Sequence, residues 1–263
     1  MLKILKTRWQ QGHRTSSFPE GAPDFPERFR GRPELRPELC PSGCAACVDA
    51  CPTLAIETSQ AGDPAPALAL DLGRCLFCND CVAACPSGAV AFTTDHRLAA
   101  TTREELTLSA QETPLVRRLD EAMRRLFGRS LKLRQVSAGG CSACEAELTA
   151  LGNVVFDLGR FGIQFVASPR HADGLVVTGP VTRNMQEALR RTYEAVPEPR
   201  LVIAVGACAI SGGPFAGGPE AHDGAASTVP VDLFIPGCPP HPLTILDGML
   251  RLLGRLEGKA TRD

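Results

Sequence analysis

The sequence has no long apolar run, few aromatic residues and almost no net charge. Of its 263 residues only 5% are aromatic, and the formal charge is −1 at pH 7. This balance lacks the basic excess of a nucleic-acid-binding protein. No window approaches the ~20 apolar residues of a membrane-spanning helix, and the start, MLKILKTRWQQGHRT, has no apolar segment long enough for a signal peptide. We therefore expect a cytoplasmic protein that binds no nucleic acid.

What the sequence does have is twelve cysteines, which fall into three groups of four. The groups are Cys40, Cys44, Cys47 and Cys51; Cys75, Cys78, Cys81 and Cys85; and Cys141, Cys144, Cys208 and Cys238. Cytoplasmic thiols are kept reduced, so a disulfide framework is not expected there. The grouping instead predicts three metal sites.

The second group has the spacing C-x2-C-x2-C-x3-C-P, which is typical of bacterial 4Fe–4S sites. In proteins with two such runs, the fourth cysteine of each run binds the other cluster. We therefore predict one cluster on Cys40, Cys44, Cys47 and Cys85, and a second on Cys75, Cys78, Cys81 and Cys51. Zinc is the alternative, although zinc sites favour paired C-x2-C units with a longer spacer.

The first group departs from this spacing by one residue, because three residues separate Cys40 from Cys44. Gly43 lies in that loop and can adopt the backbone angles that absorb an insertion. The spacing therefore supports Cys40 less directly than the other seven cysteines of the two runs.

The third group is dispersed, and its members follow predicted strands. Segments rich in Val, Ile and Leu alternate with helical segments, which predicts a parallel sheet covered on both faces. The strands are expected at 131–136, 163–168, 174–179, 200–205 and 231–236, and the helices at 142–151, 182–196 and 242–257. Ligands of such sheets bind beyond the carboxyl ends of the strands, where all four cysteines lie. We predict a third cluster there, the alternative being that Cys208 or Cys238 packs as a small apolar side chain.

Residues 40–93 contain an internal repeat, since Cys44, Cys47 and Cys51 recur 34 residues later as Cys78, Cys81 and Cys85. Short strands in each copy predict a small α+β domain, too small to be stable without bound clusters. Residues 94–113 are polar and predict a linker. Pro114 then opens an amphipathic helix that Gly128 ends.

Several motifs resemble a known pair of proteins. The segment FRGRPEL, with the two cysteine runs, resembles the two-cluster ferredoxin subunit of formate hydrogenlyase and complex I. From about residue 129, the segments GGCSACEAELTAL, SPRHADGLVVTGPVTRNM, GACAISGG and FIPGCPP resemble the small subunit of membrane-bound NiFe hydrogenases and the equivalent complex I subunit. The sequence is thus similar to a fusion of two neighbouring subunits.

This resemblance implies an oxidoreductase subunit that relays electrons through three 4Fe–4S clusters to a partner large subunit. The active site of that large subunit is a nickel–iron centre in hydrogenase relatives and a quinone pocket in complex I relatives. The separated pair Cys141 and Cys144 is the hydrogenase-like form, because complex I proteins have adjacent cysteines there. Further implied partners are membrane-arm subunits and an upstream donor such as a formate dehydrogenase or a ferredoxin, at the inner face of the cell membrane.

The expected fold is an α+β two-cluster ferredoxin-like domain followed by an α/β flavodoxin-like domain with a mainly parallel sheet. The predicted parts are an N-terminal arm (1–39), the ferredoxin domain (40–93), the linker and amphipathic helix (94–128), the α/β domain (129–258) and a tail (259–263).

Three further residues are candidates for a proton path or for tuning a cluster. Glu145 follows the CSAC pair, where it could equally complement the dipole of a helix N-terminus. Arg170 and His171 could hydrogen-bond a cluster or face the partner, or belong to an ordinary surface. The basic start of the chain could lie against a membrane or be a frayed terminus.

Overall fold

The structure, a computed structural model, describes residues 2–58, 68–109, 119, 121–128 and 130–256. In chain order its strands are β1 (Pro33–Leu35), β2 (Ile56–Thr58), β3 (Leu68–Asp71), β4 (Val90–Phe92), β5 (Thr107–Leu108), β6 (Leu131–Ser137), β7 (Ile163–Phe165), β8 (Gly174–Thr178), β9 (Leu201–Val205) and β10 (Leu233–Ile235). The helices are α1 (Leu2–Gln11), α2 (Ala46–Asp49), α3 (Asp80–Ala84), α4 (Glu121–Phe127), α5 (Ala143–Ala150), α6 (Arg183–Ala195), α7 (Ala207–Ser211) and α8 (Pro242–Leu252).

The amino-terminal half contains two small antiparallel sheets. One pairs β1 with β4, and the other has the order β2-β3-β5. The short helices α2 and α3 lie against each other between these sheets and carry cysteines of the two runs. This is the predicted small α+β unit, built from two copies of a strand and a short helix.

The carboxyl-terminal half is built on a five-stranded sheet of order β10-β9-β8-β6-β7, in which every neighbouring pair is parallel. All residues of β8 and β9 are buried, as expected for strands that read as continuous apolar runs. The predicted parallel sheet is therefore confirmed. Helix α8 is almost wholly buried against it, which explains why Thr244 and Asp247 are among the few buried polar residues.

The two halves are joined by direct contacts. The backbone of Ala100 exchanges two hydrogen bonds with Phe234, of 3.0 and 2.8 Å, and so extends the β10 edge. The hydroxyl of Ser211, at the end of α7, donates to the carbonyl of Gly73 at 2.8 Å. The guanidinium of Arg103 donates to both carboxylate oxygens of Asp71. These contacts fix the loop before Cys75 against the helix that carries Cys208.

Part of the predicted linker is therefore packed. Residues 98–100 and Leu106 are buried, and β5 completes the sheet formed by β2 and β3. The polar composition of 94–113 conceals these few apolar positions, which explains the difference. Residues 110–118 lie outside the described residues, as does most of the start of the predicted amphipathic helix, of which α4 is the described part. The domain boundaries themselves stay predictions.

The arm before β1 is tied to the carboxyl-terminal half. Arg160 donates to the carbonyls of Ser16 and Phe18, and the Ser16 amide donates to Val155 O at 2.8 Å. Phe18 packs into the core around α8. Within the described ranges, none of the helices combines the length and apolar character needed to span a bilayer.

Candidate metal centres

All twelve cysteines carry free thiols, and they lie in the neighbourhoods predicted from the sequence. At the first site, burial raises the pKa of Cys40, and repulsion from Cys85 and Cys44 raises it further. Burial likewise raises the pKa of Cys47, with repulsion from Cys85 and Cys40 added. Cys85 thus lies near the first run although it belongs to the second. Cys40 lies in this neighbourhood despite the longer interval.

At the second site, Cys51, Cys75, Cys78 and Cys81 line one cavity. Burial raises the pKa of Cys75 to about 12, offset in part by the Phe77 amide, which donates to its sulfur at 3.3 Å. Burial and repulsion from Cys78 and Cys51 raise the pKa of Cys81 to about 11. Cys51 thus lies with the cysteines of the second run and Cys85 with those of the first, and the assignment of ligands to each cluster stays a prediction.

The third site collects four cysteines from three loops at the carboxyl ends of the sheet strands. Burial raises the pKa of Cys144 to about 12, with repulsion from Glu145, Cys208, Cys238 and Cys141 adding to it. Burial also raises the pKa of Cys208 to about 11, again with repulsion from Cys238 and Cys141. The repulsion between these groups shows that the four sulfurs lie near one another, and a bound cation would hold them as thiolates, because coordination releases the thiol proton.

Glycines give the third site its space. Gly206 has φ +91°, and a Cβ at this position would lie 2.5 Å from Cys144 Sγ. Gly213 has φ +55°, and a Cβ there would lie 3.0 Å from Cys208 Sγ. The backbone therefore approaches two of the four sulfurs more closely than a residue with a side chain would permit. This leaves space between the loops for a bulky bound group.

Hydrogen bonds to sulfur repeat between the two runs. The Ala55 amide donates to Cys51 Sγ and the Ala89 amide donates to Cys85 Sγ, both at 3.2 Å. Burial acts to raise the pKa of Cys85, but the Ser87 hydroxyl and the backbone amides of Ser87 and Ala89 lower it, and the net pKa is lowered. Donors aimed at sulfur stabilise the thiolate and are a known means of tuning a cluster.

The order of the three sites follows from contacts between them. Burial raises the pKa of Cys238, and repulsion from Cys141 and then from Cys78 adds to it, so the second site lies beside the third. Repulsion from Cys47 contributes to the raised pKa of Cys81, so the first site lies beside the second. The three neighbourhoods therefore form a row with the second in the middle.

Glu145 is tied to the sheet beside the third site. Its Oε1 accepts hydrogen bonds from Ser137 at 2.6 Å and Thr178 at 2.7 Å, residues that end β6 and β8. Burial acts to raise the pKa of Glu145, but these two donors lower it, and the net pKa is lowered. The carboxylate thus stays ionised and joins α5 to two strands. A part in a proton path stays a prediction.

Arg170 and His171 lie exposed in a short 3-10 helix between β7 and β8. The structure shows no hydrogen bond or ion pair of either side chain within the described ranges, so their tuning role also stays a prediction.

A buried histidine group lies beneath the arm, and from the sequence only His241, which follows the CPP motif, was a weak candidate for a role at the cluster or the partner surface. His241, three residues after Cys238, accepts the Leu243 amide at its Nδ1 and so caps α8. Its ring packs edge-on against Phe25 and Phe29, and burial lowers its pKa to about 4. His96 lies buried nearby, with Nε2 4.0 Å from the Asp247 carboxylate. These residues are far apart in sequence, and no local signal joins them.

The donor set decides which group the sites fit. Across the described part of the chain, no three His, Cys, Asp or Glu side chains converge on a point where they could bind a single metal ion. The donors that lie near one another are thiols, in groups of four, and at the third site two glycines approach the sulfurs closely. Thiolates in fours are the donor set of a 4Fe–4S cluster. The residues present therefore fit such clusters.

Comparison with known protein families also indicates 4Fe–4S sites. Residues 141–252 match the family model of the NADH ubiquinone oxidoreductase 20-kDa subunit, and residues 22–89 match that of the 4Fe–4S dicluster domain. The chain is 42% identical over 132 residues to the probable membrane-bound hydrogenase subunit mbhJ of Pyrococcus furiosus, covering 50% of this chain and 79% of the relative.

Two other relatives represent both branches of the resemblance. An NADH-quinone oxidoreductase subunit of Heliobacterium modesticaldum is 42% identical over 124 residues, covering 47% of this chain and 71% of the relative. Formate hydrogenlyase subunit 7 of Escherichia coli is 46% identical over 137 residues, covering 50% of this chain and 51% of the relative. The chain belongs to the family of the NADH ubiquinone oxidoreductase 20-kDa subunit, joined here to a 4Fe–4S dicluster domain.

Proposed function

We propose that this chain is the electron-transfer subunit of a membrane-bound NiFe hydrogenase complex of the formate hydrogenlyase type, and that it carries three 4Fe–4S clusters. The observation that supports the proposal most is the division of all twelve thiols into three neighbourhoods of four. One neighbourhood borders the next, which suits a relay.

When bound, the clusters would supply one-electron transfer. The first would be held by Cys40, Cys44, Cys47 and Cys85, the second by Cys75, Cys78, Cys81 and Cys51, and the third by Cys141, Cys144, Cys208 and Cys238. The electrostatic interaction between Cys78 and Cys238 supports a path that enters by the first site and leaves by the third. No catalytic residue is proposed in this chain, since the reacting site would belong to a partner large subunit.

This chain's own residues would hold the clusters in position and tune their reduction potentials. The amides of Ala55, Phe77 and Ala89 donate to sulfur, and Cys75 and Cys81 of the second site are buried. Ser211, at the end of the helix that carries Cys208, holds the loop before Cys75 against the third site, and Arg103 anchors Asp71 of that loop. Electron transfer depends steeply on distance, so these clamps would set the rate between the second and third sites.

The α/β domain is proposed to be flavodoxin-like. Numbered from β6, the order β10-β9-β8-β6-β7 reads 5-4-3-1-2, and the flavodoxin-like order is 2-1-3-4-5 in the opposite direction. The third site lies beyond the carboxyl ends of these strands, where that fold places its ligand. This supports a docked large subunit at the same edge.

Iron analysis and EPR of protein purified without air would test the proposal. We expect about twelve irons per chain and three separable reduced-cluster signals. Cys208→Ala should abolish the signal of the third cluster alone, and Cys78→Ala, its matched control, should abolish that of the second alone. Survival of all three signals in Cys208→Ala would mean that the third ligand set is wrong. Stoichiometric zinc without iron would instead make the chain a structural scaffold.

A quinone-reducing complex I-like assembly is the second candidate, favoured by the match to the NADH-quinone oxidoreductase subunit of Heliobacterium modesticaldum. The hydrogenase proposal rests on the separated pair Cys141 and Cys144. Nickel analysis of the native complex separates the two, since the hydrogenase complex would contain about one nickel per large subunit and the quinone reductase none. Two C-x2-C pairs in the large subunit's sequence would agree with nickel.

A further inference from the structure

Helix α1 is exposed on all sides. It runs from Leu2 to Gln11 and contains no buried residue. Its large apolar side chains are nonetheless unusually exposed, with Leu2 at 84%, Leu5 at 65% and Trp9 at 89%. Apolar groups left so open at one end of a folded chain mark a surface that contacts something else.

The apolar and charged residues of α1 are arranged by the helix period. Leu2, Leu5 and Trp9 fall on one face, at spacings of three and four residues. Lys6 and Arg8 fall on the two sides of this face. No acidic residue occurs before Glu20 in the sequence. The face is thus an apolar stripe bordered by positive charge only.

A groove continues this surface at the end of α1. It has a volume of about 470 Å³ and is lined by Arg8, Gln11, Gly12, His13, Arg14, Thr15 and Val154. Its charged residues are basic, and Val154 is 70% exposed. The groove thus combines cationic donors with an apolar floor.

The body of the protein holds this surface in place. The Ser16 amide donates to Val155 O, and Arg160 donates to Ser16 O at 3.0 Å. These bonds fix the chain directly after the groove, so that α1 projects from a defined point beside Val154. Helix α1 is therefore attached to the body of the protein at a defined position and is not a frayed terminus.

We propose that α1 and this groove form a docking surface for anionic phospholipid headgroups of a bilayer. Leu2, Leu5 and Trp9 enter the boundary between headgroups and acyl chains, while Lys6 and Arg14 pair with lipid phosphates. A protein partner is the less fitting occupant, because a stripe with a tryptophan and one sign of charge has the composition of an interfacial helix. Binding by one short helix is weak and sensitive to salt, and it does not depend on the clusters.

Trp9 makes the test specific, because it is the only tryptophan of the chain. Its emission maximum would be followed with vesicles of phosphatidylcholine alone and with vesicles containing about one third phosphatidylglycerol. We expect a blue shift and co-sedimentation with the anionic vesicles only. Both should be lost near 1 M salt, where the screening length falls to about 3 Å.

Two matched variants would show which face of α1 binds the vesicles. Leu5→Glu places a negative charge in the apolar stripe and should weaken anionic-vesicle binding about tenfold or more. Thr7→Glu makes the same charge change on the opposite face and should retain most of the binding. Because both positions are exposed on α1, the fold is kept in each, and circular dichroism checks it.

The proposal is overturned by any of three results. These are an unchanged Trp9 emission with anionic vesicles, an equal response to pure phosphatidylcholine, and an equal loss in the two variants. A Trp9 shift seen only when the native complex's membrane subunits are present would assign α1 to a protein partner and equally overturn it.

Discussion

Replacing Gly206 by alanine should remove the third cluster and leave the other two. Gly206 precedes α7, and its φ of +91° and ψ of 155° lie in a region used almost only by glycine. Its Cβ would stand 2.5 Å from Cys144 Sγ and 3.5 Å from the Gly237 carbonyl oxygen. The substitution therefore strains the backbone and pushes a proposed ligand at the same time.

The structure gives the size of both effects. A side chain in this backbone region costs about 1–3 kcal/mol. The sulfur of Cys144 would also have to move by about 1 Å, whereas a functional site tolerates displacements of about 0.5 Å. Since Cys144 is packed against the core around α5 and α8, it has little room to retreat. We expect the third site to assemble poorly or not at all.

The assay is iron content together with EPR of the reduced protein. Iron should fall from about twelve to about eight per chain, while the signals of the first two clusters persist and report a folded protein. Gly217→Ala is the matched control, because Gly217 also has positive φ, +72°, but its added Cβ meets nothing within 4 Å. A Gly206→Ala protein with full iron and an unaltered third signal would refute the reasoning.

Two further predictions concern hydrogen bonds and pH. The Ser87 hydroxyl lies 3.7 Å from Cys85 Sγ, so Ser87→Ala should lower the potential of the first cluster by at most about 60 mV. Thr53→Ala should change the potential of the second cluster less, because the Thr53 hydroxyl already donates its proton to Arg74 O at 2.8 Å. Redox titration followed by EPR compares the two variants. An equal shift of the two potentials would contradict this account. Burial lowers the pKa of His241 to about 4, below its ordinary value of 6.5, so the unfolded chain takes up the proton first and stability should fall as pH drops from 6.5 to 4. Allowing for solvent screening the loss is about 1–2 kcal/mol, and denaturant unfolding of His241→Asn, which keeps a capping acceptor but does not titrate, should lack this part of the pH dependence.

The sheet could be predicted from the sequence because its information is local. The apolar runs at 174–179 and 200–205 become β8 and β9 within a residue at each end. The expected strand at 163–168 is longer than β7, which ends at Phe165, because the chain turns there toward the short helix with Arg170. Boundaries of this kind depend on packing partners that a single segment does not reveal.

The cysteine neighbourhoods were predictable for a different reason. In proteins with two such cysteine runs the fourth cysteine of each run binds the other cluster, and this known exchange predicted that Cys85 would lie near Cys40 and Cys47. The contacts of Glu145 were not predictable, because Ser137 and Thr178 become neighbours only when β6 pairs with β8. Side-chain partners brought together by strand pairing require the folded sheet.

Helix α1 and the packed linker show the limits of composition. Helix α1 has no buried residue, so no side of it faces the core. From the sequence alone, its short apolar pattern could not be told from that of a frayed terminus. Residues 94–109 are largely polar, yet Leu98, Ala100 and Leu106 decide where the segment lies. A few buried positions outweigh many solvated ones, because only the buried ones contribute to the core.

The two copies of the cysteine repeat show that the sites require a backbone shape more than particular residues. Gly43 and Phe77 are equivalent positions, and both have positive φ, +72° and +55°. Leu54 and Gly88 are also equivalent, with φ of +52° and +69°. In each pair one copy uses glycine and the other a residue for which this conformation costs about 1–2 kcal/mol. The turn at Leu54 and Gly88 aims the next amide at sulfur in both copies, as Ala55 does to Cys51 and Ala89 does to Cys85. At this turn the repeat has therefore kept the direction of its hydrogen-bond donor while the side chain has changed, and the Phe77 amide donates to Cys75 in the second copy.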